Sequence, residues 1–135
     1  MERVGAPIRH ENHGPIAIDR QRVHCPVDVV LTVMGGRWKP SILWFLTRSD
    51  RPLRFNELRR AMPAISERML SRQLRDLENH GIVYRDVYAV VPPRVEYGLT
   101  ERGRSISPIL HDMCTWGKMQ SISAAETPSP GGDAE

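Results

Sequence analysis

A mainly α domain carrying one small β-hairpin is predicted by three features of this 135-residue chain. Leu70, Leu74 and Leu77 recur at i, i+4, i+7, the spacing of one helix face. Arg68, Arg72 and Arg75 recur at the same spacing. At about 100° per residue their stripe lies roughly 160° around the helix from the leucines. After Gly81 the period turns strand-like, with Ile82 to Val91 and Val95 to Leu99 rich in Val and Tyr.

The elements follow in order. Val27 to Met34 is apolar and stops at Gly35-Gly36, a helix end. Trp38 to Thr47 reads as a second helix with Pro40 in its first turn, where a missing N–H does no harm. Its buried side is Ile42, Leu43, Phe45 and Leu46, and Trp38 and Trp44 are core candidates. Asp50-Arg51-Pro52 is a turn, and Leu53 to Phe55 is a candidate short strand. Asn56 is expected to cap a helix ending at about Met62, before Pro63. Ser66 caps the Arg/Leu helix, which closes near His80 with Gly81 just past its end. The prolines Pro92-Pro93 suit a hairpin tip, where no ladder N–H is needed. Thr100 caps a last helix to about Met119, within which Pro108 marks a kink or a late start.

Helix, helix, short strand, helix, turn, helix, hairpin, helix is the order of a winged helix-turn-helix. In that fold the Arg/Leu helix enters the DNA major groove and the hairpin leans on the backbone beside it.

Residues 1–23 mix Gly, Pro, His and Arg without a sustained period and read as a flexible arm. Residues 24–120 form the expected domain. Residues 121–135 are small, rich in Pro and Gly, and acidic, the composition of a disordered tail. The net charge of +3 hides an asymmetry, because the tail holds three acids and no Lys or Arg. Between Arg54 and Arg75 six arginines face only Glu57 and Glu67, and the rigid donor fork of Arg suits phosphate and base edges.

No apolar run approaches the roughly 20 residues that span a bilayer. Charges and a proline among the first apolar residues speak against a signal peptide, so the cytoplasm is the expected compartment. Neither a Gly-rich phosphate loop nor a nucleophile elbow is present, and no acid, base and nucleophile group together, so an enzyme is not expected. Cys25 and Cys114 are the two cysteines; without a C-x-x-C pair or clustered His they predict no metal site, and no cofactor is expected. His10 and His13 read as arm residues.

Several motifs then converge in order: Cys25-Pro26, Gly36-Arg37-Trp38, Ile65-Ser66-Glu67-Arg68-Met69-Leu70, and Val95-Glu96-Tyr97-Gly98-Leu99-Thr100. From about Cys25 to Trp116 the chain resembles the HxlR-type transcriptional regulators, a branch of the MarR-like winged helices. The resemblance implies a homodimer, joined by its first and last helices, on a palindromic operator in double-stranded DNA. It implies DNA contacts at Ser66, Arg68, Ser71, Arg72, Arg75 and, at the wing tip, Arg94. Cys25 stands where members of the family often carry a thiol sensor of oxidants or electrophiles, and Arg22 and His24 beside it favour a reactive thiolate. Ile106, Ile109, Leu110, Met113 and Trp116 give the last helix an apolar stripe larger than one small domain needs, which points to dimerisation. Cys114 lies on the same stripe and is expected in the core or the interface. Alternative readings are a regulator switched by a small-molecule ligand and a winged helix used for protein contact. The longer N-terminal arm and Pro108 depart from the family pattern.

Overall fold

The structure is a computed structural model and describes residues 5–120, so the acidic tail expected over 121–135 lies outside the described residues. Helices α1 (Pro26–Met34) and α2 (Lys39–Arg48) are followed by strand β2 (Leu53–Arg54), α3 (Phe55–Ala61) and α4 (Glu67–Asn79). Strands β3 (Val83–Tyr88) and β4 (Arg94–Leu99) form the hairpin, and α5 (Glu101–Arg104) and α6 (Ser107–Met119) complete the domain. Gly36 and Gly81 both have positive φ, +89° and +73°, at the helix stops where the sequence places them.

The core gathers around α2. Ile42, Leu43 and Leu46 are buried together with Leu58, Ile65, Leu70, Leu74, Leu77, Ile82 and Val83. Trp38, Trp44 and Phe45 pack against this cluster from its rim.

Three sequence expectations need correction. The described part of the expected arm, residues 5–23, is not without regular structure: Ile8–His10 forms strand β1, which pairs antiparallel with β3 in the register Ile8↔Val87, Arg9↔Asp86, His10↔Arg85. The sheet order is therefore β1-β3-β4-β2. Asn56 does not cap α3. The helix begins two residues earlier, at Phe55 with Arg54 in the cap position, and the Glu57 carboxylate takes the capping role by accepting the Arg54 N–H at 2.9 Å. The last helix is two helices, the second with the late start that Pro108 was expected to mark. A continuous one would drive the Pro108 ring into the carbonyl of Arg104, so the chain breaks at 105–106 and restarts with Pro108 in the first turn of α6.

Buried Thr100 ties the hairpin to both neighbouring helices. Its hydroxyl donates to the Gly81 carbonyl at 2.5 Å and accepts the Gly103 N–H at 3.0 Å, while its own N–H reaches Ile82 O at 3.0 Å. Thr100→Val keeps the shape but orphans both hydroxyl partners, and is expected to cost about 1–3 kcal/mol in chemical denaturation.

The carboxyl of Glu57 is pushed down from 4.5 to about 2, first by the Arg51 guanidinium that donates to it at 2.6 and 3.1 Å and next by the Arg54 N–H. A carboxyl depressed by folding stabilises the fold above its unfolded pKa and loses that contribution as pH falls through the folded one. Its share of stability is thus expected to decline between about pH 4.5 and 2. An NMR titration giving Glu57 an ordinary midpoint would contradict the capping role.

Candidate nucleic-acid interface

Helix α3 ends at Ala61 with Met62 as its C-cap, and a short turn carries the chain to α4. Within it the Ile65 N–H bonds Met62 O at 3.1 Å and the Ile65 side chain is buried. Ser66 then caps α4, its hydroxyl accepting the Met69 N–H at 3.0 Å. Leu70, Leu74 and Leu77 are sealed into the core. Turning them inward leaves Ser66, Arg68, Ser71, Arg72 and Arg75 exposed on the other side.

The charges of α4 are arranged unevenly. Its three acids are each held by a cation from another element: Glu67 by Arg59 of α3 at 3.7 Å, Asp76 by Lys39 of α2 at 3.4 Å, and Glu78 by Arg85 of β3 at 3.2 Å. Among the described residues, Arg68, Arg72 and Arg75 have no ion-pair partner. The helix therefore offers three uncommitted guanidiniums over a face with no free carboxylate.

Arg94 is placed differently from the wing-tip contact the resemblance implies. It opens β4 directly opposite Tyr88, lays its guanidinium 4.0 Å from that ring, and sits 3.6 Å from Glu96 two residues on. Both partners lie on one face of its own hairpin, so the side chain folds back, and Val91 is what projects from the tip. The stripe argument overlooks Arg60, which is exposed on α3 and shares an open groove with Arg54 and Arg94 beside the wing. The Arg59-Arg60 pair at the end of a short helix was its available signal.

Cys25 is exposed and immediately precedes α1. Beside it, the backbone N–H groups of His24 and Cys25 donate to the Asp28 carboxylate at 2.6 and 3.3 Å, and the Arg22 guanidinium faces Asp19 at 3.8 Å. Cys114 is half-buried in a shallow apolar groove with Trp44, Phe45 and Met113.

The expected interface stripe of α6 divides in two. Leu110, 4% exposed, and Ile106 pack into the chain's own core, which corrects their place on an outer face. Ile109, Met113 and Trp116 are uncovered, the last at 67%, and Met119 joins them. Helix α1 likewise exposes Val27, Val30 and Leu31.

These elements define a winged helix-turn-helix. Residues 33–124 match the model of the HxlR-like helix-turn-helix family, and the chain belongs to that family. It is 52% identical over 95 residues to an uncharacterised HTH-type transcriptional regulator of Methanothermobacter thermautotrophicus, covering 70% of this chain and 71% of that one. A Bacillus subtilis regulator, YybR, is 51% identical over 94 residues, covering 70% and 74%. Among solved structures, the redox regulator HypR in its oxidised form superposes with a TM-score of 0.68 at 48% identity, covering 73% of this chain and all of that one. Reduced YodB of B. subtilis gives 0.61 at 34% identity, covering 71% and 93%. The chain is a transcriptional regulator of the helix-turn-helix type and not an enzyme. Among the described residues no helix is long and apolar enough to cross a membrane.

Proposed function

We propose that this regulator acts as a homodimer that sets α4 into the major groove of a palindromic operator. Arg68 and Arg72 reach base edges, and Arg75, further along the helix, takes backbone phosphate. Ser66 and Ser71 add contacts at the start and on the exposed face of the helix. The observation that carries this reading is the distribution of charge on α4, where every acid is tied to another element while the three arginines stay free. A helix used for protein contact would more often present aromatic anchors there. The uncovered apolar side chains of α1 and α6 supply the dimer surface, and two recognition helices would then address half-sites about one helical turn, roughly 34–36 Å, apart. Arg94 joins only by leaving Tyr88 and Glu96. The place of work is the cytoplasm, with the DNA.

Fluorescence anisotropy on DNA from upstream of the protein's own gene, against scrambled DNA across about 50 to 200 mM salt, tests this directly. Specific, steeply salt-dependent binding is expected. Arg72→Ala should weaken it by more than about 1 kcal/mol at an unchanged melting temperature. Unaltered affinity in that variant would remove the arginine face from the reading.

For the signal, we propose oxidation or electrophilic modification of Cys25. Support comes from its exposure and from the similarity to structures of a redox regulator in oxidised form and of YodB, also solved after diamide treatment. Diamide is expected to lower operator affinity in the wild type and to leave Cys25→Ser indifferent. An equal response in both would turn attention to a ligand in the cleft between α6 and the wing, lined by Tyr84, Arg104, Ser107 and His111.

A further inference from the structure

The N-terminal arm lies outside the residues matched by the family model, yet it touches both DNA-facing elements. Arg9 on β1 forks onto Asp86 of β3, with Nε to Oδ1 at 2.7 Å and Nη2 to Oδ2 at 2.9 Å. Asp86 is only 3% exposed, and its neighbour across the hairpin is another acid, Glu96. Arg9 is thus the counter-charge for a buried carboxylate in the middle of the wing, and its guanidinium also lies 3.7 Å from the centre of the Tyr84 ring. Like charges placed opposite each other in a sheet repel, and an unpaired buried charge is costly.

Further along, the arm crosses the end of α4. The Asn12 amide donates to the carbonyl of Asn79, the last residue of that helix. Arg102 of α5 clamps the same place, donating from Nη1 to His80 O at 2.7 Å and from Nη2 to Gly14 O at 2.8 Å. The carbonyls of Asn79 and of the following His80, at the end of α4, are therefore satisfied by the arm and by a residue that also grips the arm.

The wing leaves α4 through Gly81, a permissive pivot at φ +73°. The arm is attached on both sides of this pivot: to β3 beyond it through Arg9, and to α4 before it through Asn12. We infer that residues 8–14 act as a strap that fixes the wing against the recognition helix, with Arg9 and Asp86 as positioning residues for DNA binding. The inference rests on the DNA-binding reading above. Its physical basis is that an interface ordered in advance loses less freedom on binding, and that apart from β1 the hairpin is extended, among the described residues, by the two-residue β2 alone.

Asp86→Asn in the full chain provides a test in which charge and position pull in opposite directions. Removing a negative charge strengthens attraction to DNA by electrostatics alone. Loss of the strap weakens binding instead, by about fivefold, the scale of coupling between packed elements. Arg9→Lys, which keeps the charge but cannot fork, should weaken binding in the same direction, and it stands in should Asp86→Asn fail to fold. Hydrogen exchange in the free protein should accelerate across residues 79–88 in these variants. Wild-type DNA that binds the variants as tightly as, or more tightly than, the wild type overturns the strap. If the wild type itself binds no DNA at low salt, the regulator reading falls and the strap's role falls with it, so the two failures are told apart by the wild-type lane.

Discussion

Burial of the leucine stripe of α4 is the constraint on which the rest of the domain depends. Leu70, Leu74 and Leu77 meet the buried side chains of α2 and α3, and a fully buried leucine contributes about 1.5–3 kcal/mol over an exposed one. Because the helix repeats every 3.6 residues, seating these three side chains leaves no rotational freedom, and the arginines must face solvent. Exposure of the guanidiniums is thus a consequence of core packing. A mutation that let α4 roll would disturb stability and DNA contact together.

The ion pairs of the molecule serve two different purposes. Those at Glu67, Asp76 and Glu78 are at least partly exposed, and pairs of that kind contribute little stability each. Their effect is directional: three carboxylates that could have folded onto the α4 arginines are drawn away to α2, α3 and β3. The Arg9–Asp86 pair is of the other kind. Its carboxylate is shut away from water, so the pair matters chiefly through what breaking it would cost.

Elements whose cause is local were legible in the sequence. The helix period, the Ser66 and Thr100 caps, the Gly81 stop and the proline-bearing hairpin tip each write their geometry into a few neighbouring residues. Their order along the chain spells a winged helix-turn-helix, and the family resemblance added the residues expected at the DNA, at the dimer and at the thiol. What escaped has a remote cause. Strand β1 is three residues long and exposed at each of them, with no alternation to betray it, and its anchor is an aspartate 77 positions away. Asn56 is a sound N-cap by type, but Glu57 already bonds the Arg54 N–H, which starts the helix before Asn56 can cap it. Arg94 was placed correctly at the wing, while its retreat onto Tyr88 and Glu96 depends on a cross-strand register that sequence does not display. The α6 stripe was legible as apolar, but periodicity alone cannot divide it into the part that faces α2 and the part left bare.

That division bears on how a signal could reach DNA. Helix α2 touches α1, α3, α4 and α6, and it contributes Ile42, Leu43 and Leu46 to the core in which the α4 leucines sit. The surfaces proposed for dimerisation lie on α1 and α6, both packed on α2. A chemical change at Cys25 falls at the entry to α1, whose first turn is closed by the Asp28 carboxylate on the N–H groups of His24 and Cys25. Modification there that disturbed this closure would shift α1, and through α2 the spacing of the two α4 helices in a dimer. The spatial chain of α1, α2 and α4 is an argument from packing; its strength is that packed cores answer strain by discrete rearrangement rather than by yielding smoothly. Since a palindromic site fixes the distance between half-sites, even a small change in that spacing would act on both contacts at once, without altering any residue that meets the DNA.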